Sequence, residues 1–143
     1  MTLDAKGRLA VPSRYRERIR ERSQNRMVVT VDRDQCLLLY PTPDWEEIER
    51  KLMELPSLNP KARRLQRLMV GHATDLELDG HGRLLLPAKH REFADIKRGA
   101  VLIGQGNRFE LWDEERWRQR EQEWLEGEDP EGDLPPELEK LSL

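Results

Sequence analysis

The strongest structural signal in the chain is the segment Leu3-Asp4-Ala5-Lys6-Gly7-Arg8-Leu9-Ala10-Val11-Pro12. It returns later in the chain as Leu78-Asp79-Gly80-His81-Gly82-Arg83-Leu84-Leu85-Leu86-Pro87, with Leu, Asp, Gly, Arg, Leu and Pro at the same spacing. The likeness continues downstream, where residues 28–31 match 100–103 and residues 37–40 match 109–112. A solenoid needs at least about three repeats. The two copies therefore predict one pseudo-symmetric domain built from two half-units.

Each copy predicts the same order of elements, β-turn-β-α-β-turn-β. The Asp-x-x-Gly-Arg segment is typical of a tight turn, because Asp bonds to its own backbone and Gly tolerates positive φ. Short apolar runs at 9–11 and 84–86 indicate buried strands, and Pro12 and Pro87 then stand at the predicted first position of a helix. Apolar residues at helical spacing follow, namely Tyr15 and Ile19 in one copy and Phe93 and Ile96 in the other. The hairpin strands that close the copies are predicted over 27–31 with 36–40, and over 100–104 with 108–112.

Three further helices are predicted outside the repeated elements. Thr42 and Asn59 are expected to cap the first two, each followed by a proline, and Asp113 is expected to cap the third. Their apolar faces are predicted to hold Trp45, Ile48 and Leu52; Leu65, Leu68 and Met69; and Trp117 and Trp124.

The two ends of the chain depart from the repeat. The second copy is preceded by residues 73–77 and the first only by Met1 and Thr2, so the N-terminal partner strand is expected to be short or absent. From Glu126 on, seven acidic residues stand against the single Lys140, among glycines and prolines that break regular structure. This composition predicts a mostly disordered tail.

Length and composition limit the classes of protein that the chain can be. Its 143 residues suit one domain, and 37% of them are charged. It holds one cysteine, which excludes an intrachain disulfide, and no apolar run long enough for a transmembrane helix. The N-terminal residues lack the apolar core of a signal peptide. We therefore expect a soluble, cytoplasmic protein with no membrane partner.

The net charge of −3 hides an alternation along the chain. Residues 1–26 carry eight basic and three acidic side chains, and residues 61–100 carry nine and five. Residues 27–60 and 101–143 are acidic in balance. Local fields steer partners more than net charge does, so the two basic blocks remain compatible with binding to nucleic acid.

No pattern in the chain predicts catalysis, a metal site or a cofactor. Cys36 lies within a buried-strand pattern and is expected to pack in the core. His72, His81 and His90 match neither one helix face nor a metal-ligand spacing, so turn and surface positions are expected for them. Gly80-His81-Gly82 lacks the further glycine and the lysine of a phosphate loop. A non-enzymatic protein without a small-molecule substrate is therefore expected.

The repeated turn is instead basic. Lys6 and Arg8 in the first copy, and His81 and Arg83 in the second, lie at or just after the turn. An arginine at a turn tip can donate two hydrogen bonds to O6 and N7 of guanine in the major groove. The aspartate of each turn is expected to brace it as an internal ion partner. The turns are thus predicted to contact DNA through their basic residues.

Basic residues also follow each turn at the start of the predicted helix. Arg14 and Lys89 occupy matching positions, and Arg14, Arg18 and Arg22 share one helix face by their spacing. Such residues can meet phosphates, which anchor a protein without reading sequence. The candidate DNA-contacting residues are Lys6, Arg8, Arg14, His81, Arg83 and Lys89.

The doubled Leu-Asp-x-x-Gly-Arg-Leu-x-x-Pro motif resembles the AbrB-like swapped-hairpin DNA-binding unit. Two such units in one chain of this length are similar to the MraZ family of transcriptional regulators. Further stretches fit that family, namely residues 36–41, 63–68, 70–73, 109–112 and 141–143.

The resemblance implies an α+β fold in which two half-units form a double-split β-α-β barrel with flanking helices. It also implies ring-shaped homo-oligomers that bind short G-rich direct repeats upstream of the bacterial division and cell-wall gene cluster. In the family the arginine of each Asp-x-x-x-Arg motif contacts DNA, which places Arg8 and Arg83 in that role. The boundaries are expected at 1–45 for the first unit, 46–69 for linking helices, 70–117 for the second unit and 118–143 for an acidic helix and tail.

We therefore expect a sequence-specific, nucleoid-associated transcription regulator whose partners are double-stranded DNA and further copies of itself. One alternative is a protein-interaction module that resembles antitoxins of the same fold and works through the acidic residues 113–143. A purely structural ring is a weaker alternative, which would show no salt-sensitive retention of nucleic acid.

Overall fold

The computed structural model describes residues 1–127 and has a mixed α+β fold. The strands are β1 (Arg8–Ala10), β2 (Arg26–Val31), β3 (Leu37–Pro41), β4 (Thr74–Glu77), β5 (Arg83–Leu85), β6 (Ala100–Gln105) and β7 (Arg108–Asp113). The helices are α1 (Ser13–Ser23), α2 (Thr42–Met53), α3 (Pro60–Met69), α4 (Ala88–Phe93) and α5 (Glu114–Leu125). The predicted order of elements is confirmed in full for the second copy, and for the first copy from β1 onward. The expectation of a disordered tail falls mainly on residues 128–143, outside the described residues.

The strands form an antiparallel five-stranded sheet in the order β4-β2-β3-β7-β6 and a separate two-stranded ribbon, β1-β5. Both sheets mix the two copies. The hairpin of the first copy, β2-β3, lies between β4 and β7 of the second copy. The ribbon pairs one strand from each copy, with Leu9 opposite Leu84. The two copies therefore build one domain, as the repeat predicts.

The opening strand of each copy pairs with the other copy, but to different extents. In the second copy β4 pairs with β2 over four residues, from Arg26 opposite Glu77 to Val29 opposite Thr74. In the first copy only Thr2 forms a bridge, with Gly99. Backbone hydrogen bonds from Leu3 to the Arg98 carbonyl and from Ala100 to the Met1 carbonyl extend this contact. The prediction that the N-terminal partner strand is short or absent is thus confirmed, since only a single bridge forms there.

The strands β2 and β3 of the five-stranded sheet are buried on both faces, which explains their continuous apolar runs. In β2, Val29 and Val31 face a core shared with the ribbon and α1, while Val28 faces a second core beneath α2 and α3. The second core also holds Cys36, whose predicted packing role is confirmed. Burial, followed by the nearby Glu110 carboxylate, raises the pKa of the Cys36 thiol. The thiol is therefore protonated at neutral pH and unsuited to nucleophilic chemistry.

Several helix starts lie one position away from the predictions. Pro12 and Pro87 have extended ψ angles of 144° and 142°, and they precede the first helical residue instead of occupying it. The helix predicted to begin at Pro43 starts at Thr42, after Pro41. The caps at Asn59 and Asp113 are confirmed, because their side chains accept backbone hydrogen bonds from the first turns of α3 and α5.

The helix of the second copy is also shorter than its apolar spacing predicts. It ends at Phe93, and Ile96 lies beyond Asp95, whose φ of 53° leaves the helical region. Ile96 is nevertheless buried in the shared core. Among residues 1–127 no helix is long and apolar enough to cross a membrane.

Candidate nucleic-acid interface

The first basic turn is closed by the side chain of Asp4. Its Oδ1 accepts hydrogen bonds from the backbone N–H groups of Lys6 and Arg8, both at 2.9 Å. Its Oδ2 accepts from the guanidinium Nε of Arg8 at 2.6 Å. Gly7 donates its N–H to the Asp4 carbonyl at 3.0 Å and has a φ of 82°, a conformation that favours glycine. The turn is held by backbone and ionic bonds together.

The second basic turn repeats this network. The Oδ1 of Asp79 accepts from the N–H groups of His81 and Arg83 at 2.8 and 2.9 Å, and its Oδ2 accepts from the Nε of Arg83 at 3.0 Å. Gly82 donates to the Asp79 carbonyl at 3.0 Å and has a φ of 73°. The prediction that both aspartates brace their turns is confirmed.

These hydrogen bonds stabilise the charged form of each aspartate. The backbone N–H of Arg83, with smaller contributions from His81 and the Arg83 side chain, holds the pKa of Asp79 at about 2. The backbone N–H of Arg8 lowers the pKa of Asp4 in the same direction. Both carboxylates therefore remain ionised at any physiological pH and keep their arginines oriented.

The ribbon places the two motif arginines on one face. Side chains alternate along a strand, so the buried Leu9 and Leu84 point inward while Arg8 and Arg83 point outward. Arg8 lies opposite Leu85 in the ribbon, which makes Arg8 and Arg83 diagonal neighbours, about 7–8 Å apart. This juxtaposition could not be read from the sequence, because the two residues belong to different copies.

The aspartates hold these arginines without burying them. The side chains of Arg8 and Arg83 are 29% and 30% exposed, so they are less free than the prediction of a projecting turn tip implies. Only Nε is bonded, and the terminal guanidinium nitrogens have no hydrogen-bond partner among residues 1–127. Each arginine thus presents a donor edge in a fixed orientation.

Two further arginines that the candidate set omits complete the turns. We call Arg16 and Arg91 the clasp arginines, because each crosses to the turn of the other copy. A Cβ added to Gly7 would lie 2.6 Å from Cζ of Arg91, and one added to Gly82 would lie 2.5 Å from Nε of Arg16. Each clasp arginine also donates Nε to the carbonyl just after the ribbon strand of its own copy, Val11 for Arg16 and Leu86 for Arg91.

The clasp arginines make each turn a joint product of both copies. The first turn joins Lys6 and Arg8 to Arg91, and the second joins His81 and Arg83 to Arg16. The repeat carried a signal for this role, since Arg16 and Arg91 are matching positions of the two copies. Their partners could not be predicted, because a lone arginine in a charged helix is typical of a solvated surface.

The remaining candidate residues are exposed near the turns or at the helix starts. Lys6 and His81 occupy the turn tips, and Lys89 lies in the first turn of α4. Arg14 lies in the first turn of α1, with its guanidinium 4.7 Å from the centre of the Tyr15 ring. These four side chains are open to a partner but are not assembled by hydrogen bonds to the turns.

The predicted phosphate-binding face of α1 is only partly available. Arg22 donates Nε and a terminal nitrogen to the two carboxylate oxygens of Asp44 at 3.1 and 3.0 Å, and this pair raises the Arg22 pKa. Arg18 donates to the Gly106 carbonyl at 3.3 Å. Arg22 therefore joins α1 to α2, which the helical spacing alone could not show.

The expectation of turn and surface positions for the histidines is wrong for His90. This side chain is buried in α4, and its Nε2 lies 2.7 Å from the His72 carbonyl oxygen. His81 is exposed at its turn, as expected. Among residues 1–127 no group of three His, Cys, Asp or Glu side chains is placed to hold a metal ion.

Comparison with known proteins identifies the family. A family model described as "MraZ protein, putative antitoxin-like" matches the chain twice, over residues 1–68 and 69–131. A protein of Thioalkalivibrio sulfidiphilus named "Transcriptional regulator MraZ" is 54% identical over 143 residues, which cover 100% of this chain and 95% of the relative. Proteins of the same name from Halorhodospira halophila and Coxiella burnetii are 54% and 50% identical over 145 residues, with the same coverage. The chain, with its two braced basic turns, belongs to the MraZ family.

Proposed function

We propose that the chain is a non-enzymatic, sequence-specific DNA-binding transcription regulator. The observation that carries the proposal is the pair Arg8 and Arg83 on one outward face of a two-stranded ribbon. The major groove of B-DNA admits such a ribbon, and arginine pairs with guanine O6 and N7 there. The names of the relatives, all transcriptional regulators, agree with this function and with the expected absence of catalysis.

The aspartates make these arginines suited to base readout. An arginine held through Nε has already lost much of the side-chain freedom that binding would otherwise remove. Its two terminal nitrogens form the planar fork that guanine requires, which a lysine ammonium does not provide. Lys6, Arg14 and Lys89, together with the clasp arginines, then supply positive charge for the neighbouring phosphates. The exposed His81 offers a hydrogen-bond donor beside them.

The family resemblance supports the finer parts of the proposal. Half-units that form a double-split β-α-β barrel would offer one weak site per subunit, and a ring of identical subunits would bind several G-rich direct repeats by avidity. The regulated genes would be the division and cell-wall cluster, and the protein would act in the cytoplasm on the nucleoid. The division at residues 1–45, 46–69, 70–117 and 118–143 is kept as part of this proposal.

A gel-shift series on the DNA upstream of the chain's own gene tests the proposal. Arg8→Lys and Arg83→Lys keep the charge but remove the fork, and each is expected to weaken binding about 5- to 100-fold. Arg63→Lys on α3 is the matched control, since this exposed arginine lies outside the turns and should leave affinity unchanged. Circular dichroism and urea unfolding establish that each variant is folded.

Binding by the unmodified protein should also fall steeply with salt, because phosphate contacts release counterions. Equal affinity of both lysine variants and the unmodified protein would contradict the proposed readout. Loss of regulation in cells on deletion of residues 127–143, with DNA binding intact, would instead favour the protein-interaction alternative.

A further inference from the structure

The outward face of the ribbon holds two unequal aliphatic side chains between its arginines. Leu85 and Ala10 occupy equivalent positions in the two copies, and both point outward with Arg8 and Arg83. Leu85 is 56% exposed, whereas its strand neighbours Leu84 and Leu86 are buried. A large apolar side chain exposed on a face that also carries two arginines adds little to the core of the domain. Its exposed methyl groups are therefore available to an apolar partner outside the domain.

The position of Leu85 is fixed by both arginines. It lies opposite Arg8 in the ribbon, where Cβ atoms of paired residues are about 4.5–5.5 Å apart. It also lies two residues beyond Arg83 on the same strand, a separation of about 6.8 Å along the backbone. Successive base pairs in B-DNA are about 3.4 Å apart along the helix axis. A side chain at Leu85 thus falls one or two base pairs from a guanine that either arginine reads.

The apolar group that the major groove offers at that distance is the C5 methyl of thymine. The groove otherwise presents hydrogen-bond donors and acceptors, for which leucine has no use, and apolar side chains are the ones that contact the thymine methyl. Ala10 is too short to make an equivalent contact when the arginines dictate how closely the ribbon approaches. Each half of the ribbon therefore carries an equivalent arginine, but only the half with Leu85 has an apolar side chain long enough to contact a base.

We propose that Leu85 reads a thymine beside the guanines and so sets the orientation of the chain on DNA. This inference rests on the proposed function, because it places a base contact on the ribbon face. Two identical half-faces would read an inverted repeat equally well in both directions. With Leu85 on one half and Ala10 on the other, the face reads a directional element, which suits direct repeats.

Removal of the thymine methyl tests the contact. The region upstream of the chain's own gene is amplified once with dTTP and once with dUTP, since uracil pairs like thymine but lacks the methyl group. The full-length protein is expected to bind the uracil fragment about fourfold more weakly per subunit contact, the effect of one methyl group. Leu85→Ala is expected to bind the thymine fragment with a similar loss and to bind the two fragments equally.

A matched variant separates this contact from a general loss of apolar surface. Leu58→Ala removes a leucine that is 92% exposed and lies between α2 and α3, so it should keep both the affinity and the preference for thymine. If Leu85→Ala retains the preference for thymine over uracil, the proposal is overturned. The same holds if the unmodified protein binds both fragments alike.

The outcomes also separate this inference from the proposed function. Weaker binding by Arg8→Lys and Arg83→Lys, with no dependence on the thymine methyl, would leave the DNA-binding function standing and refute the role of Leu85. Failure of the unmodified protein to bind the thymine fragment at all would refute both.

Discussion

The two basic turns share their hydrogen bonds almost atom for atom, while the elements around them differ. In both turns one aspartate accepts two backbone N–H groups and one arginine Nε. Around them, α1 has 11 residues and α4 has 6, and the exposed Lys6 of the first turn corresponds to His81 in the second. The shared part fixes how an arginine is presented, and the differing part decides what surrounds it.

The repeat therefore preserves the geometry of the turn more than its surface chemistry. Positions that hold the turn in shape are the same residue in both copies, namely Asp4 and Asp79, Gly7 and Gly82, Arg8 and Arg83, and Arg16 and Arg91. Positions that only face outward differ, such as Ala10 and Leu85. A substitution at a turn-holding position should therefore have the same effect in either copy. A substitution at an outward-facing position should have different effects in the two copies.

The largest effect is expected from the inward pair of the ribbon. Leu9 and Leu84 face each other in register and are almost completely buried, so Leu9→Ala and Leu84→Ala should each destabilise the domain by about 2–5 kcal/mol. Urea unfolding measures this, with Leu85→Ala on the same strand as a control expected within about 0.5 kcal/mol. A large loss of stability for one leucine variant and none for the other would show that the two copies do not contribute equally to the core.

The glycines offer an intermediate effect that separates strain from crowding. Gly82→Ala and Gly7→Ala should each cost about 1–2 kcal/mol for the left-handed backbone and should additionally displace a clasp arginine. Gly106 has a φ of 63° and open space around its Cα, so Gly106→Ala should lose stability through backbone strain alone. Gly80 has open space and no positive φ, so Gly80→Ala serves as the control for both effects.

Urea unfolding and the gel shift together distinguish the members of this series. All three positive-φ variants should lose stability, but only those at Gly7 and Gly82 should also weaken DNA binding. Equal DNA affinity for the Gly82 and Gly106 variants would show that the clasp arginines do not support the turns.

The smallest effect concerns pH. The pKa of Asp79 is lowered to about 2 from the ordinary 3.8, so the stability that its carboxylate gives is complete above about pH 4 and is lost as pH falls toward about 2. Asp4 should lose its contribution in the same direction. Carboxyl NMR titration of the folded protein measures both midpoints.

The variant Arg83→Ala separates the backbone and side-chain causes of the low Asp79 pKa. The largest cause of the low pKa is the backbone N–H of Arg83, which Arg83→Ala retains. The Asp79 midpoint in this variant should rise only in part and stay below 3.8. A return to the ordinary value would assign the shift to the side chain.

Local chemistry made much of the fold predictable. Asp4 and Gly7 specify their turn through bonds within five residues, and the caps at Asn59 and Asp113 follow from adjacent backbone groups. The inter-copy pairing had no such signal, because the register of Leu9 with Leu84 joins distant segments. The burial of His90 was missed since one residue on a six-residue helix carries no periodicity.

The candidate site was predictable to a similar depth. The repeat identified Arg8 and Arg83 as a matched pair, and the aspartates as their braces. It could not show that both arginines share one ribbon face, nor that Arg22 is held by Asp44 on another helix. Those facts depend on the three-dimensional arrangement of α1, α2 and the two ribbon strands.

The exchange of opening strands makes the chain a tethered pair of complementary halves. Each half leaves a sheet edge that only the other covers, so neither holds a complete domain when separated. The segment between α2 and α3 links the two halves and keeps them at a high effective concentration. It contains the exposed Leu58. A single backbone cut there would make the folding of each subunit an association between two separate chains, which dilution reverses.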